Sequence, residues 1–206
     1  MSYKTLNEYG EKLYKTLLKV DNIYLEKLIT EIKSRIEFEG EIFLLGNGGS
    51  AANAHHITGD YTKTFSMLGK SIKINCLSDN ACYITAAAND IDFSEIYQML
   101  VDTRIKQNDL IILLSGSGNS MNLIKAARKA TSLKIKVAAL IGYSGGALKK
   151  IADIPIHYYV DDMEIAEDCQ IAIFHYIKQK IIESFSLKPN CNSEKYDKRT
   201  NQDLIA

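Results

Sequence analysis

This sequence of 206 residues has no excess of either charge, because 25 lysines and arginines are matched by 25 aspartates and glutamates. A protein whose main partner is nucleic acid or an anionic membrane usually carries a basic excess, so we expect neither partner. Long apolar runs are also missing, and none approaches the roughly 20 residues that a membrane-spanning helix needs. Residues 1–6 lack the character of a secretory signal peptide, so we expect a cytoplasmic protein.

Cysteine is scarce and scattered. The four cysteines lie far apart and form no Cys-x-x-Cys pair; they are Cys76, Cys82, Cys169 and Cys191. Cysteines without such a pair are typical of free thiols in a reducing compartment, which agrees with the cytoplasmic expectation.

The most informative stretch is a short apolar run that ends in a glycine-rich turn. A buried strand is predicted over residues 42–45. Gly46, Gly48 and Gly49 then permit a sharp turn. Ser50 suits the start of a helix, so unpaired N–H groups and the positive end of a helix dipole would face the turn. The stretch lacks the Gly-Lys-Ser/Thr of a Walker loop and the glycine spacing of a dinucleotide site. It indicates a cradle for one phosphate group, with a plain tight connection as the alternative.

Two further groups of polar residues point to chemistry on a phosphorylated compound. His56 and Asp60 are four residues apart and share one face of the helix that follows the first loop. Residues 109–114 form a continuous apolar run typical of a central parallel strand, and a serine- and glycine-rich second loop follows at 115–120. Its hydroxyl groups can donate to phosphate oxygens, with a serine-rich turn that binds nothing as the alternative.

Strand and helix patterns alternate after an opening helical pair at residues 3–38. The alternation predicts an α/β three-layer sandwich with a mostly parallel sheet, in which ligands bind at the carboxyl ends of the strands. The opening pair has little of the domain to cover, so we expect it to pack on another subunit. We expect one domain over residues 1–185 and a polar tail at 186–206. Further strands are predicted at 71–77, 135–141 and 154–160. Further helices are predicted at 81–88, 93–104 and 163–185, and another begins near the second loop and continues to about residue 131. A turn is predicted at Asn89 and Asp90.

The last predicted helix carries a histidine and several carboxylates. Its acidic first turn is most simply a complement to the helix dipole. Glu167 and His175 are eight residues apart, which on a straight helix corresponds to about 80° and about 12 Å of rise. Only two outstretched side chains, or residues from two subunits, could meet at one atom. His157 in the last strand is assigned no role, and His55 points away from the helix face that carries His56.

Three segments together resemble the SIS (sugar isomerase) domain family, namely residues 46–56, 88–90 and 115–120. The resemblance covers about residues 1–185 and is greatest to sedoheptulose 7-phosphate isomerases, also called phosphoheptose isomerases. It implies a five-stranded parallel sheet flanked by helices, and a homotetramer with active sites between subunits. It also implies conversion of a ketose phosphate to an aldose phosphate, with zinc at the site in some members.

The resemblance assigns roles by position. His56, Asp60, Glu167 and His175 correspond to metal ligands, and Asp60 and His175 also to the catalytic base and acid. This set of ligands suits zinc, with manganese or iron as alternatives. The positions that correspond to substrate contacts are Asn47, Gly48, Gly49, Ser50, Asn89, Asp90, Ser115, Gly116, Ser117, Ser120 and Glu167.

Four positions depart from the family pattern. Asp60 replaces a glutamate, which retracts the carboxylate by about 1.5 Å. Glu167 replaces a neutral glutamine and adds a negative charge that favours a dication. Thr64 and Gly116 stand where the family has an arginine and a threonine, so the anion site is less positive than usual. The rival hypothesis is a non-catalytic member that binds a phosphosugar or attaches to a partner protein such as a replication initiator; retention of both histidines favours an enzyme.

Overall fold

The computed structural model describes residues 3–38 and 40–186, so the predicted polar tail lies almost wholly outside the described residues. Within this part, eight helices and five strands alternate along the chain, and none of the helices is long and apolar enough to cross a membrane. The elements are α1 (Leu6–Leu17), α2 (Asn22–Glu37), β1 (Ile42–Gly46), α3 (Gly48–Met67), β2 (Ile74–Cys76), α4 (Ala81–Asp90), α5 (Ile96–Arg104), β3 (Leu110–Ser115), α6 (Met121–Ser132), β4 (Lys136–Ile141), α7 (Leu148–Ile151), β5 (Ile154–His157) and α8 (Met163–Ser184).

The five strands form one parallel sheet in the order β2-β1-β3-β4-β5. Gly46 at the end of β1 lies beside Leu114 of β3, and Ser115 at the end of β3 lies beside Ile141 of β4. Every residue of β1 and β3 is buried, as expected for parallel strands that are covered on both faces. Both predicted loops therefore leave neighbouring strands at the carboxyl edge of the sheet.

Alternate residues of each strand belong to two separate cores, one on each face of the sheet. Ile42 and Leu44 pack in the core that includes α2, α3 and α8, whereas Phe43 and Leu45 pack in the core that includes α5 and α6. The division follows from the two-residue period of a strand. The predicted three-layer α/β sandwich is thus confirmed, and its sheet is parallel throughout.

The two opening helices pack against the rest of the described chain. Leu28 and Ile32 of α2 are buried in the core on one face of the sheet. Helix α1 packs along α8, where the Tyr9 hydroxyl donates a 2.6 Å hydrogen bond to Asp168. The expectation that this pair has little of its own domain to cover is therefore wrong. Two large apolar side chains of α1 are nevertheless exposed, Leu6 by 83% and Tyr14 by 63%.

Several local predictions also differ from the structure. Strand β2 is confined to Ile74–Cys76, within the range predicted at 71–77, and α5 begins at Ile96 instead of residue 93. Asn89 and Asp90 end helix α4 instead of forming a turn after it, because the Ile91 N–H still donates to the carbonyl oxygen of Ala87 at 3.0 Å. Strand β5 ends at His157, earlier than predicted. The helical hydrogen bond outweighs the turn preference of asparagine and aspartate, which is a local tendency only.

Candidate active site

The two predicted loops line one cavity at the carboxyl edge of the sheet, with a volume of about 270 Å³. Leu123 of α6 and Met163 at the start of α8 complete its wall. The predicted substrate residues that line it are Asn47, Gly48, Gly49, Ser50, Ser115, Gly116, Ser117, Ser120 and Glu167.

A larger, open cavity of about 760 Å³ lies against α2 at the amino ends of β4 and β5. Its polar lining is a set of surface charges such as Glu26, Lys136 and Asp153. Ligands of parallel α/β sheets bind at the carboxyl ends of the strands, so the smaller cavity is the candidate site.

Helix α3 begins earlier than predicted, because Asn47 of the first loop is already its N-cap. Gly48 is the first helical residue and has φ +55°. The Asn47 side chain makes no cap bond; its amide exchanges two 2.9 Å hydrogen bonds with the Asn122 amide on α6. Ser50 is buried, and its hydroxyl oxygen accepts a 3.0 Å hydrogen bond from Gln170 on α8. The loop is thereby tied to both neighbouring helices. The N–H groups in the first turn of α3 receive no hydrogen bond partner from the cap side chain and can donate to another acceptor.

The Glu167 carboxylate lies at this first loop. A Cβ atom on Gly49 would overlap it, so glycine permits the close approach. Burial raises the pKa of the Glu167 carboxyl above its usual value, while hydrogen bonds from the backbone and hydroxyl of Ser50 act in the opposite direction. A second anion at the first loop would meet this carboxylate, which leaves the second loop as the better place for a phosphate group.

The second loop is a turn held by its own serine side chains. The Gly118 N–H donates to Ser115 Oγ at 3.0 Å, and the Asn119 N–H donates to Ser117 Oγ at 3.2 Å. Ser120 occupies the N-cap position of α6 and makes no side-chain cap bond. A hydroxyl that accepts a backbone hydrogen bond still has its own proton to donate. The loop therefore offers three hydroxyl donors and a helix N-terminus to an anion.

We expect Gly118→Ala to lower the free energy of unfolding by about 2–4 kcal/mol. Gly118 has φ +69°, and a Cβ atom there would overlap the carbonyl oxygen of Gly145. Denaturant unfolding measures the change. The matched control is Gly10→Ala in α1, where a Cβ atom would meet nothing within 4 Å and should stabilise by about 0.5–1 kcal/mol. Equal stability of the two variants would contradict the role given to Gly118.

Three of the four predicted metal ligands form a cluster between α3 and α8. His56 Nε2 and His175 Nε2 are 3.2 Å apart, and His175 Nε2 is 3.9 Å from Asp60 Oδ2. One ligand atom from each of the three residues lies within 4.8 Å of the others. Two imidazoles and a carboxylate are a donor set that divalent transition metals favour. The cluster could therefore hold such a metal.

Lys178 joins this cluster, although no sequence motif singles it out. Its ammonium group forms an ion pair with Asp60 Oδ2. Burial lowers the pKa of His175, and the nearby charge of Lys178 lowers it further. The sequence carries one signal for the position of Lys178, namely its spacing from His175. Lys178 follows His175 by three residues and so lies on the same face of α8.

Three predicted site residues are missing from a group to which they were assigned. Glu167 lines the cavity but is not part of the histidine cluster, which agrees with its eight-residue separation from His175 on one helix. Asn89 and Asp90 are exposed at the end of α4, where the Asn89 amide donates to the Asp90 carboxylate at 2.8 Å. Neither of them lines the cavity.

Comparison with known protein families defines the class to which this fold and site belong. The family model described as SIS domain matches residues 7–142. The matched residues include strands β1 to β4 and both loops of the cavity. The chain belongs to the SIS domain family, as its motifs predict.

Relatives of the chain are named phosphoheptose isomerases. The one from Chlorobaculum parvum is 32% identical over 176 residues, which is 84% of this chain and 84% of that protein. A probable phosphoheptose isomerase from Thermoplasma acidophilum is 33% identical over 167 residues, 80% of this chain and 92% of that protein. The structure of a phosphoheptose isomerase from Francisella tularensis matches with a TM-score of 0.79 at 26% identity, covering 85% of this chain and 95% of that one. The resemblance found in the motifs is confirmed.

Proposed function

We propose that this protein is an aldose–ketose isomerase of a sugar phosphate, with sedoheptulose 7-phosphate or a related compound as substrate. One observation carries the proposal. Helices α3 and α8 begin at the carboxyl edge of the sheet, where they help to line a cavity suited to phosphate, and the same two helices carry the His56–Asp60–His175 cluster. The names of relatives that span most of the chain supply the substrate class.

We assign the substrate phosphate to the second loop. Ser115, Ser117 and Ser120 offer hydroxyl donors there, and α6 begins directly after them. The first loop already holds the Glu167 carboxylate, which would repel a phosphate. With the phosphate held at the second loop, the sugar carbons would extend across the cavity toward Glu167 and α3.

The isomerisation needs a base beside the carbonyl group and an acid that serves the neighbouring carbon and oxygen. Two carboxylates are available as the base: Asp60 in the cluster and Glu167 in the cavity wall. Asp60 is our assignment, and His175 is the acid. Removal of the carbon-bound proton by the base and protonation of the carbonyl oxygen by the acid give an enediol. Return of a proton to the adjacent carbon, with loss of the proton from the hydroxyl of the first carbon, gives the isomer.

His56, Asp60 and His175 would hold a divalent metal. In a tetrahedral zinc site with bonds of about 2.0–2.1 Å, two ligand nitrogens lie about 3.3 Å apart. The Nε2 atoms of His56 and His175 are separated by 3.2 Å, which fits. We propose zinc, with manganese or iron as alternatives. The metal would polarise the oxygens of the bound sugar.

We also propose a homotetramer in the cytoplasm, with active sites between subunits. Large apolar side chains of α1 and at the end of α2 are exposed, such as Leu6 and Phe38, and their burial between subunits would favour the assembly. Asn89 and Asp90 would then reach the cavity of a neighbouring subunit. The free thiols of Cys76, Cys82 and Cys169 are consistent with a reducing compartment.

Ser117→Ala should weaken binding of the substrate by about two- to tenfold, since a neutral hydrogen bond contributes roughly 0.5–1.5 kcal/mol. The Ser117 hydroxyl lines the cavity and is only half-buried, so the loss of its 3.2 Å hydrogen bond from the Asn119 N–H should lower the melting temperature only slightly. Titration calorimetry with the sugar phosphate measures the affinity. Ser132→Ala on α6, whose hydroxyl bonds only to Lys129 of its own helix, is the control. Unchanged affinity in Ser117→Ala would place the phosphate elsewhere.

The proposed function is tested by incubating the zinc-loaded protein with a panel of ketose and aldose phosphates, and separating the products. We expect isomerisation of sedoheptulose 7-phosphate or of a sugar phosphate of similar length. Binding of these compounds without conversion, in protein whose metal content is verified, would instead support the non-catalytic alternative.

A further inference from the structure

The carboxylate of the histidine cluster already has a cationic partner from this chain. Lys178 Nζ forms an ion pair with Asp60 Oδ2, and both side chains are only 17% exposed. The same oxygen faces His175 Nε2 at the longer distance of 3.9 Å. The same Asp60 oxygen is therefore paired with the lysine and lies close to His175.

The geometry of the cluster shows which contact a metal would have to change. In a tetrahedral site with ligand bonds of about 2.0–2.2 Å, neighbouring ligand atoms are about 3.4 Å apart. The two histidine nitrogens already have such a spacing at 3.2 Å, but the His175–Asp60 distance is about half an ångström too long. To complete the site, the Asp60 carboxylate and His175 must come closer together. The oxygen concerned, Asp60 Oδ2, is the one that the Lys178 ammonium group already holds, so the metal and the lysine compete for it.

We propose that Lys178 is the resident cation of this cluster, and that a divalent metal binds only by displacing Lys178 from Asp60. The proposal rests on the metal site of the proposed function. An incoming dication meets a carboxylate whose charge is already compensated and an ammonium group that repels it. The metal is therefore held weakly and exchanges readily, and Lys178 sets its affinity.

An ordinary structural ion pair makes a different prediction. If Lys178 only supported the packing of α8 on α3, its removal would lower stability and leave metal affinity unchanged. If Lys178 competes with the metal, its removal should raise metal affinity, because the Asp60 carboxylate is then free to bind the metal. Metal affinity therefore separates the two roles, independently of any catalytic assay.

The test is calorimetric titration of the chelator-stripped full chain with Zn²⁺. Lys178→Met keeps the length of the side chain and removes its charge, and Lys178→Gln is a second neutral variant. We expect both to bind zinc at least about tenfold more tightly, which corresponds to about 1.4 kcal/mol. The zinc-induced rise in melting temperature should also be larger in these variants. The zinc affinity of Lys178→Arg should remain close to that of the unchanged protein, since arginine retains the positive charge.

Two controls locate the effect. Lys180→Met removes a lysine on the same helix whose partner is Glu183, and it should leave zinc affinity unchanged. His56→Ala should abolish the tight binding in a Lys178→Met background. Equal or weaker zinc binding by both neutral Lys178 variants would overturn the inference and leave the metal site intact. Absence of zinc binding in every variant, or binding that survives His56→Ala, would overturn the metal site itself and the inference with it.

Discussion

Replacement of His175 by glutamine should lower kcat by about 10²–10⁴-fold, the usual result of removing a positioned acid or base. Glutamine roughly preserves volume and hydrogen bonding but cannot transfer a proton near neutral pH. The His175 side chain is 45% exposed and contacts His56 and Asp60 at the edge of α8, so its loss removes little core packing. The melting temperature should therefore change little. Steady-state kinetics on the identified substrate and a thermal melt measure the two quantities.

His157 supplies the control for this experiment. Its ring contacts the Tyr143 carbonyl oxygen and the Lys149 ammonium group, each at 3.0 Å, and it belongs neither to the cavity nor to the cluster. His157→Gln should keep its normal kcat. Near-normal turnover by His175→Gln would contradict the assignment of His175 as the acid. Bound metal must be measured beside turnover, because a variant that loses activity together with its metal identifies His175 as a ligand only.

The fold could be predicted because burial on both faces of a parallel sheet leaves a local signature. Residues 110–114 are apolar without interruption, and the structure has strand β3 at Leu110–Ser115. The glycine turn after residues 42–45 likewise marks the end of β1. The end of β5 could not be read in this way, since apolar residues continue after His157 while the strand pairing stops. Burial is visible in the sequence as a run of apolar residues. The point at which a strand stops pairing depends instead on the neighbouring strand in the sheet.

The candidate site could be predicted where spacing on one element decides the contact. His56 and Asp60 are one helical turn apart, and the structure places both in one cluster. Glu167 could not be placed from spacing, because its position against Gly49 depends on how α8 packs on α3. The role of Lys178 could not be predicted for a related reason. A lysine on a helix normally extends into solvent, and only the packing of the two helices brings it to Asp60.

Asp60→Asn should lower kcat by about 10²–10⁴-fold if Asp60 is the base, because an amide cannot accept the proton. The structure offers a matched competitor for this role in Glu167, which lines the cavity and whose pKa is raised by burial. Glu167→Gln introduces the residue that the family resemblance implies at this position. We expect this variant to retain kcat within about tenfold, since it removes no assigned acid or base. Its KM should fall, because a negative charge near the bound phosphate is removed.

The two variants must be compared at equal metal content. Asp60 is also a cluster residue and the partner of Lys178, so Asp60→Asn alone would confuse loss of a base with loss of a metal or an ion pair. Glu167 lies outside the cluster, and its replacement should leave bound metal unchanged. A kcat that collapses in Glu167→Gln but survives in Asp60→Asn would transfer the role of base to Glu167. That result would fit the structure only if the sugar carbons lie against the first loop, because Glu167 is held there by the close approach that Gly49 permits.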